Sequence, residues 1–399
     1  MHKKIAIFED GNGFGGSVFA LLENMRYLSS NKDIEFLIIH SLKDSRFNQF
    51  TTETHCKLHF NGVKNWKLSN PWLNTFFKRG NLYLAINTLN SYKVLRLYKP
   101  DLVYTNNDLE CNLHAIIASK LLNLPVVSHE RDIPSFWSKT TKLFYNSVET
   151  VIAISEATQQ AIIKQTFPPE KIIKIVDGID THRLINDSNL VDPVKVKQQH
   201  ELPLDKKIIL MIGMITKWKG QHIVLQAVQQ LHYTRSNLHF VFIGEEPTFD
   251  QTHYLDNLYG YITNNCIQND VSILGYCSNI GALIKASDLV IHASISPEPF
   301  GRVIVESMSL AKPIIATNIG GPQEIISDGE TGFLIEPSNP TKLANKINEV
   351  IDTPEKSKKI ANAAQKFALA HYDSKLVAYK IGELLKLYLH TSFKDPKTH

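Results

Sequence analysis

Short runs of β-branched and apolar residues recur along this chain, separated by longer amphipathic stretches. Lys4–Phe8, Glu35–His40, Leu102–Thr105, Val126–Ser128, Val151–Ile154 and Ile172–Val176 form one set. A second set follows the polar, proline-containing stretch Thr181–Lys207: Ile208–Ile212, His239–Ile243, Val271–Leu274, Leu289–His292, Ile314–Ala316 and Phe333–Ile335. Short buried strands alternating with helical stretches are the signature of βαβ units, so the pattern predicts two parallel sheets, each covered by helices on both faces. The expected division is a first domain over 1–180, a linker over 181–207, a second domain over 208–370 and a C-terminal helical segment over 371–399. Packing of that last segment back onto the first domain is one arrangement its apolar positions allow. In parallel α/β sheets ligands bind beyond the carboxyl ends of the strands, so two such sheets facing each other would place their loops across one cleft.

Composition changes this picture little. At 399 residues, with 43% hydrophobic and 21% charged, the chain can bury more than one core and is not broadly disordered. The four cysteines, Cys56, Cys111, Cys266 and Cys277, include no Cys-x-x-Cys pair, which excludes a thiolate zinc site and a disulfide framework and favours a reducing compartment. No apolar run approaches the roughly 18 residues of a spanning helix, so the expected location is cytoplasmic.

Charge adds one local feature. Residues 1–180 carry 21 basic and 17 acidic side chains and the rest are balanced, so the whole excess of +4 lies in the first half. Within it, residues 54–100 contain Lys57, Lys64, Lys67, Lys78, Arg79, Lys93, Arg96 and Lys99 but no Asp or Glu. Phe60, Trp66, Trp72, Phe76, Phe77, Tyr83, Tyr92 and Tyr98 are interleaved with them. Such a mixture suits a surface that meets an anionic membrane, peripherally and from the inner face. It equally suits core aromatics beneath a solvated basic face. The balanced second half offers no continuous basic track for nucleic acid.

Two loops carry candidate chemistry. The first strand runs into Gly11-Asn12-Gly13-Phe14-Gly15-Gly16 and then a helical run, an arrangement that brings backbone amides up to an anion. Gly11, Gly13 and Gly16 satisfy G-x-G-x-x-G, but the second strand ends at His40-Ser41 without the acidic residue that a dinucleotide ribose requires. The stronger constellation is His292-Ala-Ser-Ile-Ser-Pro-Glu-Pro-Phe-Gly-Arg-Val-Ile-Val-Glu306. Pro297 and Pro299 hold Glu298 in a loop. Beyond Gly301 an apolar helix begins, so the amides around Arg302 and Val303 form an anion site with Glu306 one turn in.

These residues resemble the retaining glycosyltransferases of family 4, whose GT-B fold consists of two facing Rossmann-like α/β domains with an interdomain cleft. The resemblance rests on Glu298-Pro299-Phe300-Gly301 with Glu306 eight residues later. Gly213 to Gly220, Leu274-Gly275-Tyr276, Asn318 to Glu324 and Asp328 to Phe333 look like further landmarks of that family. In the first half so do Gly15-Gly16, Val127 to Glu130, Ala153 to Glu156 and Asp177 to Asp180. It implies transfer of a sugar from a nucleotide diphosphate donor, UDP being the commoner carrier, to a glycan or lipid-linked acceptor in cell-envelope or polysaccharide synthesis. Glu306 would take the ribose hydroxyls, Lys219 the diphosphate with help from the Gly16 and Val303 amides, and Glu298 the sugar hydroxyls across from His129. Gly15, Gly213, Lys217, Gly275, Tyr276, Phe300, Gly301 and Arg302 would complete the donor site.

The resemblance implies no metal or other cofactor, in keeping with the absence of any Asp-x-Asp triplet. Two positions depart from the family's pattern: Met214 stands where an arginine is usual, with Lys217 in the same loop as a candidate substitute, and Gly244-Glu245-Glu246-Pro247 is unusually acidic. A nucleotide-sugar 2-epimerase and a non-catalytic nucleotide-sugar-binding module are the alternative functions.

Overall fold

The computed structural model describes residues 2–10, 15–41, 44–61, 81–247 and 252–390. The chain forms two compact units, Met1–Gly178 with Ser374–His399, and Ile179–Asp373.

Among the described residues the first unit holds seven parallel strands: β1 (Lys3–Glu9), β2 (Ile34–His40), β3 (Lys57–Phe60), β4 (Leu102–Asn107), β5 (Val126–Glu130), β6 (Thr150–Ala153) and β7 (Ile172–Lys174), in the order β3-β2-β1-β4-β5-β6-β7. The interior strands are buried on both faces, which is why they read as nearly continuous apolar runs. β3 lies within the stretch expected to be a basic aromatic surface. It is an edge strand, largely exposed, and its Lys57 pairs with Glu35 of β2 at 2.9 Å. Much of the expected basic aromatic surface, Lys64 to Arg79 with Trp66, Trp72, Phe76 and Phe77, lies outside the described residues.

The second unit holds β8 (Lys207–Ile212), β9 (Leu238–Ile243), β10 (Val271–Leu274), β11 (Leu289–His292), β12 (Ile314–Thr317) and β13 (Phe333–Ile335), parallel and in the order β10-β9-β8-β11-β12-β13. The segment expected to be a linker, 181–207, is instead largely structured. Thr181–Asn189 and Pro193–Gln199 are helices capped by the Asp180 and Asp192 carboxylates, and both pack on the helix Ile280–Ala286. The cap carboxylates and the proline at the second helix's first position favour helix over an extended connector.

The helix Ser374–His390 packs on Gly16–Leu28 and adds Val377, Ile381, Leu384, Leu385 and Leu389 to the core of the first unit. Among the described residues no helix is long and apolar enough to cross a membrane.

In each sheet the strand order reverses once, between β1 and β4 and between β8 and β11. Loops leaving the carboxyl ends of the two central strands diverge there and leave a crevice, the usual ligand position in an open α/β sheet.

Candidate active site

In the second unit the switch point is flanked by the loop after β8, Gly213 to Gly220, and the loop after β11, Ala293 to Gly301. They are joined directly, since the Ile295 amide donates to the Trp218 carbonyl at 2.7 Å. Across this junction Lys219 Nζ donates to Glu298 Oε2 at 2.7 Å, with both side chains nearly buried, and lies 4.2 Å from the centroid of the Trp218 ring. His292 Nε2 lies 3.2 Å from the same carboxylate oxygen, and Ser294 Oγ donates to it at 3.0 Å. Burial alone would raise the pKa of Glu298. The Lys219 charge outweighs it, helped by the His292 hydrogen bond and charge, and holds the carboxyl well below the usual carboxylate range. The group is an anion at any physiological pH.

The Glu298 backbone is set from behind by the loop after β12. Gly320 bridges to Glu298, and the Gly321 amide donates to the Glu298 carbonyl at 2.7 Å. Gly320 has φ +71°, and a Cβ there would lie 2.5 Å from the Glu298 carbonyl oxygen and 2.7 Å from its nitrogen, so only glycine fits. Thr317 Oγ1 fixes the neighbouring turn by donating to the Ser294 carbonyl at 2.8 Å.

Gly301 caps the helix Arg302–Ser309 with φ +105°. Glu306 is buried one turn in, with its Oε1 3.7 Å from the Arg302 guanidinium, and Val303 is half-buried in the first turn. The Phe300 ring is buried edge-on against Tyr372, 5.8 Å between centroids. The aliphatic part of Lys219 passes over Gly213. Met214 is exposed, as is Lys217 in the short 3-10 turn. Gly275 stands beside the Glu245 carboxylate, and Tyr276 is exposed.

In the first unit Gly15 and Gly16 open the helix Gly16–Leu28; Gly11 and Gly13 lie outside the described residues. His129 is wholly buried on β5. Its Nδ1 contacts Tyr104 Oη and lies 3.3 Å from Arg131 Nη2. Arginine can only donate, so Nδ1 accepts and the ring proton sits on Nε2. Burial, then the Arg131 charge, pushes the His129 pKa well below its ordinary value and keeps the ring neutral. Arg131 is itself held by Asp177 and by Asn106 Oδ1, and Asn106 also binds Glu9. Glu9, Asn106 and His129 are register partners across β1, β4 and β5, which places this network at the switch point of the first sheet.

The structure thus brings Lys219 and Glu298 together as the sequence motifs imply, and it adds His292 and Ser294, whose roles motif reading missed. Their spacing, His292 at the end of β11 and Ser294 two residues on, was the available signal, because residues i and i+2 of an extended chain share a face.

A family model described as "Glycosyl transferases group 1" matches residues 194–367, and one described as "Glycosyltransferase Family 4" matches residues 46–183. Spore coat protein SA of Bacillus subtilis is 29% identical over 256 residues, which are 61% of this chain and 65% of that protein. The lipopolysaccharide 1,2-N-acetylglucosaminetransferase of Salmonella typhimurium is 31% identical over 237 residues, 57% of this chain and 59% of that protein. The matched part therefore spans less than two thirds of either relative. Among solved structures, Anabaena Alr3699/HepE in complex with UDP-glucose superposes with a TM-score of 0.80 at 27% identity, covering 97% of this chain and 100% of that one.

Proposed function

We propose a sugar-transfer reaction for this chain, which belongs to the glycosyltransferases of group 1 and family 4 and has their GT-B pair of parallel sheets. The donor is a UDP-sugar, the anomeric configuration is retained, and the acceptor is a glycan or lipid-linked saccharide of cell-envelope or polysaccharide synthesis. The observation that carries the reading is the ionised Glu298 carboxylate at the switch point, 2.7 Å from the Lys219 ammonium. The UDP-glucose bound by the Anabaena protein and the lipopolysaccharide activity of the Salmonella relative support the choice of substrates.

In this reading Glu298 binds sugar hydroxyls and Glu306 the ribose. As the bond to the sugar breaks, negative charge grows on the β-phosphate, and a preorganised ammonium in a nearly buried site stabilises it without having to reorganise. Lys219 supplies that cation, helped by amides of the Arg302–Ser309 helix start, so no divalent metal is required. His129, neutral and protonated on Nε2, can donate a hydrogen bond but cannot also act as a base through Nδ1, which already accepts from Arg131.

Attachment to the inner face of an anionic membrane is part of the proposal. The helix Asn81–Tyr98 supports it by exposing Leu82, Ile86, Leu89 and Leu97 along with Lys93 and Arg96.

The test is hydrolysis and transfer from UDP-glucose and other nucleotide sugars, with the anomer of the product read by NMR. Glu298→Ala is expected to lower kcat/KM by about 10²–10³, the range for losing a key polar catalytic contact. A folded Glu298→Ala protein with wild-type turnover would end the assignment. Release of a rearranged sugar from donor alone would point to an epimerase instead.

A further inference from the structure

We propose that His292 and Ser294 are positioning residues that saturate one oxygen of the Glu298 carboxylate so that the other is presented to the donor sugar. The proposal rests on the reading of Glu298 as the sugar-binding group. An ionised carboxylate offers about four lone-pair sites on its two oxygens. Three donors converge on Oε2: Lys219 Nζ at 2.7 Å, Ser294 Oγ at 3.0 Å and His292 Nε2 at 3.2 Å. Among the described residues Oε1 receives no hydrogen bond from protein. The side chain is therefore not symmetrically solvated; it is held by one edge.

The three donors differ in what else they can do. Lys219 is the cation assigned to the diphosphate, so donor binding draws part of its charge away from Glu298. His292 and Ser294 are not assigned to the phosphates, and they also touch each other, Ser294 Oγ lying 3.4 Å from His292 Nε2. His292 is buried, and because its Nε2 faces a carboxylate that nitrogen carries the proton. Its Nδ1 is buried without a hydrogen-bond partner, so Nε2 makes the ring's one hydrogen-bonding contact with the site. Ser294 is fully buried, and its turn is pinned by Thr317. The two donors thus hold the carboxylate in register while Lys219 turns to the phosphates.

The arrangement separates sugar recognition from nucleotide recognition, and the experiment uses that separation. Ser294→Ala, His292→Leu and His292→Gln are compared with wild type for UDP-glucose hydrolysis and, by calorimetry, for binding of UDP, which lacks the sugar. Ser294→Ala and His292→Leu are each expected to lower kcat/KM about tenfold or more while the Kd for UDP stays within about twofold, because hydrogen bonds to a charged group are strong. His292→Gln, whose terminal amide can replace Nε2 as donor, should recover most of the loss. In a Glu298→Ala background neither substitution should cost anything further, whereas a general structural defect would add to it.

Losses that are additive in that background, a UDP affinity that falls in step with kcat/KM, or no rescue by glutamine would each overturn the assignment. Absence of wild-type turnover, or an unaffected Glu298→Ala, would overturn instead the donor reading beneath it, and this assignment with it.

Discussion

Replacing Lys219 with methionine keeps the aliphatic stem and removes the charge that neutralises Glu298. The two side chains are 14% and 12% exposed and 2.7 Å apart. At an effective dielectric of about 20, unit charges at that separation attract by roughly 6 kcal/mol before desolvation is counted. The substitution leaves a buried carboxylate without its counter-ion, for which about 3–5 kcal/mol is usual. Because Ser294 and His292 still donate to Oε2, the lower end, about 3 kcal/mol, is expected. For a unit the size of residues 179–373 each kcal/mol moves Tm by about 2–4 °C, so the shift should be about 6–12 °C.

Trp218, which lies beneath the Lys219 ammonium, serves as a fluorescent reporter of denaturation in this unit. The effect must also depend on pH. In wild type the folded pKa of Glu298 is depressed, so its stabilising contribution is present above the unfolded value of about 4.3 and is lost as pH falls through the lower folded value. Without Lys219, burial raises that pKa, so the gap between wild type and Lys219→Met should narrow as pH is lowered from 7 toward 4. Adding Glu298→Leu should restore much of the stability while leaving the enzyme inactive. A Lys219→Met protein within about 0.5 kcal/mol of wild type at pH 7 would refute the buried-pair argument.

Three further outcomes follow from other parts of the structure. Gly320→Ala forces a left-handed backbone and a contact with the Glu298 backbone. It should cost about 1–2 kcal/mol from φ alone and lower kcat/KM for UDP-glucose more than it weakens UDP binding, as kinetics and calorimetry on the variant would show. Glu130 is wholly buried, and burial followed by the Asp108 charge raises its pKa well above the usual value, so its favourable contribution is complete below about pH 4.3 and is lost as pH rises through the folded pKa. Glu130→Gln should therefore raise Tm at pH 8 and leave it unchanged near pH 4. In the proposed reaction a lysine serves the diphosphate, so turnover should persist in excess EDTA and gain little from added magnesium or manganese, as an initial-rate assay would show.

Most of the fold was legible because parallel strands buried on both faces must be apolar throughout. The six runs read in each half all became strands, from Lys4–Phe8 to Phe333–Ile335. β3 escaped because Lys57-Leu-His-Phe60 is an exposed edge strand without apolar continuity. The 181–207 segment reads as a connector from its polarity, which reflects helix faces turned to solvent, whereas its helix signals, Asp180 and Asp192 as caps and Pro193 at the first turn, are short-range.

At the site, Glu298 and Lys219 were legible as motifs, and Glu306 as a helix position. The surroundings of these side chains depend on contacts far apart in sequence. Gly320 matters through the backbone of Glu298, 22 positions earlier, and Arg131 through Asp177, 46 positions later. The Phe300 ring packs against Tyr372, 72 positions later, a contact the motif does not encode.

The most direct measurement is a crystal structure of the protein with UDP-glucose bound. The account predicts hexose hydroxyls within hydrogen-bond distance of Glu298 Oε1, ribose hydroxyls on Glu306 and the diphosphate beside Lys219. A nucleotide sugar bound with neither carboxylate touching it would contradict the account.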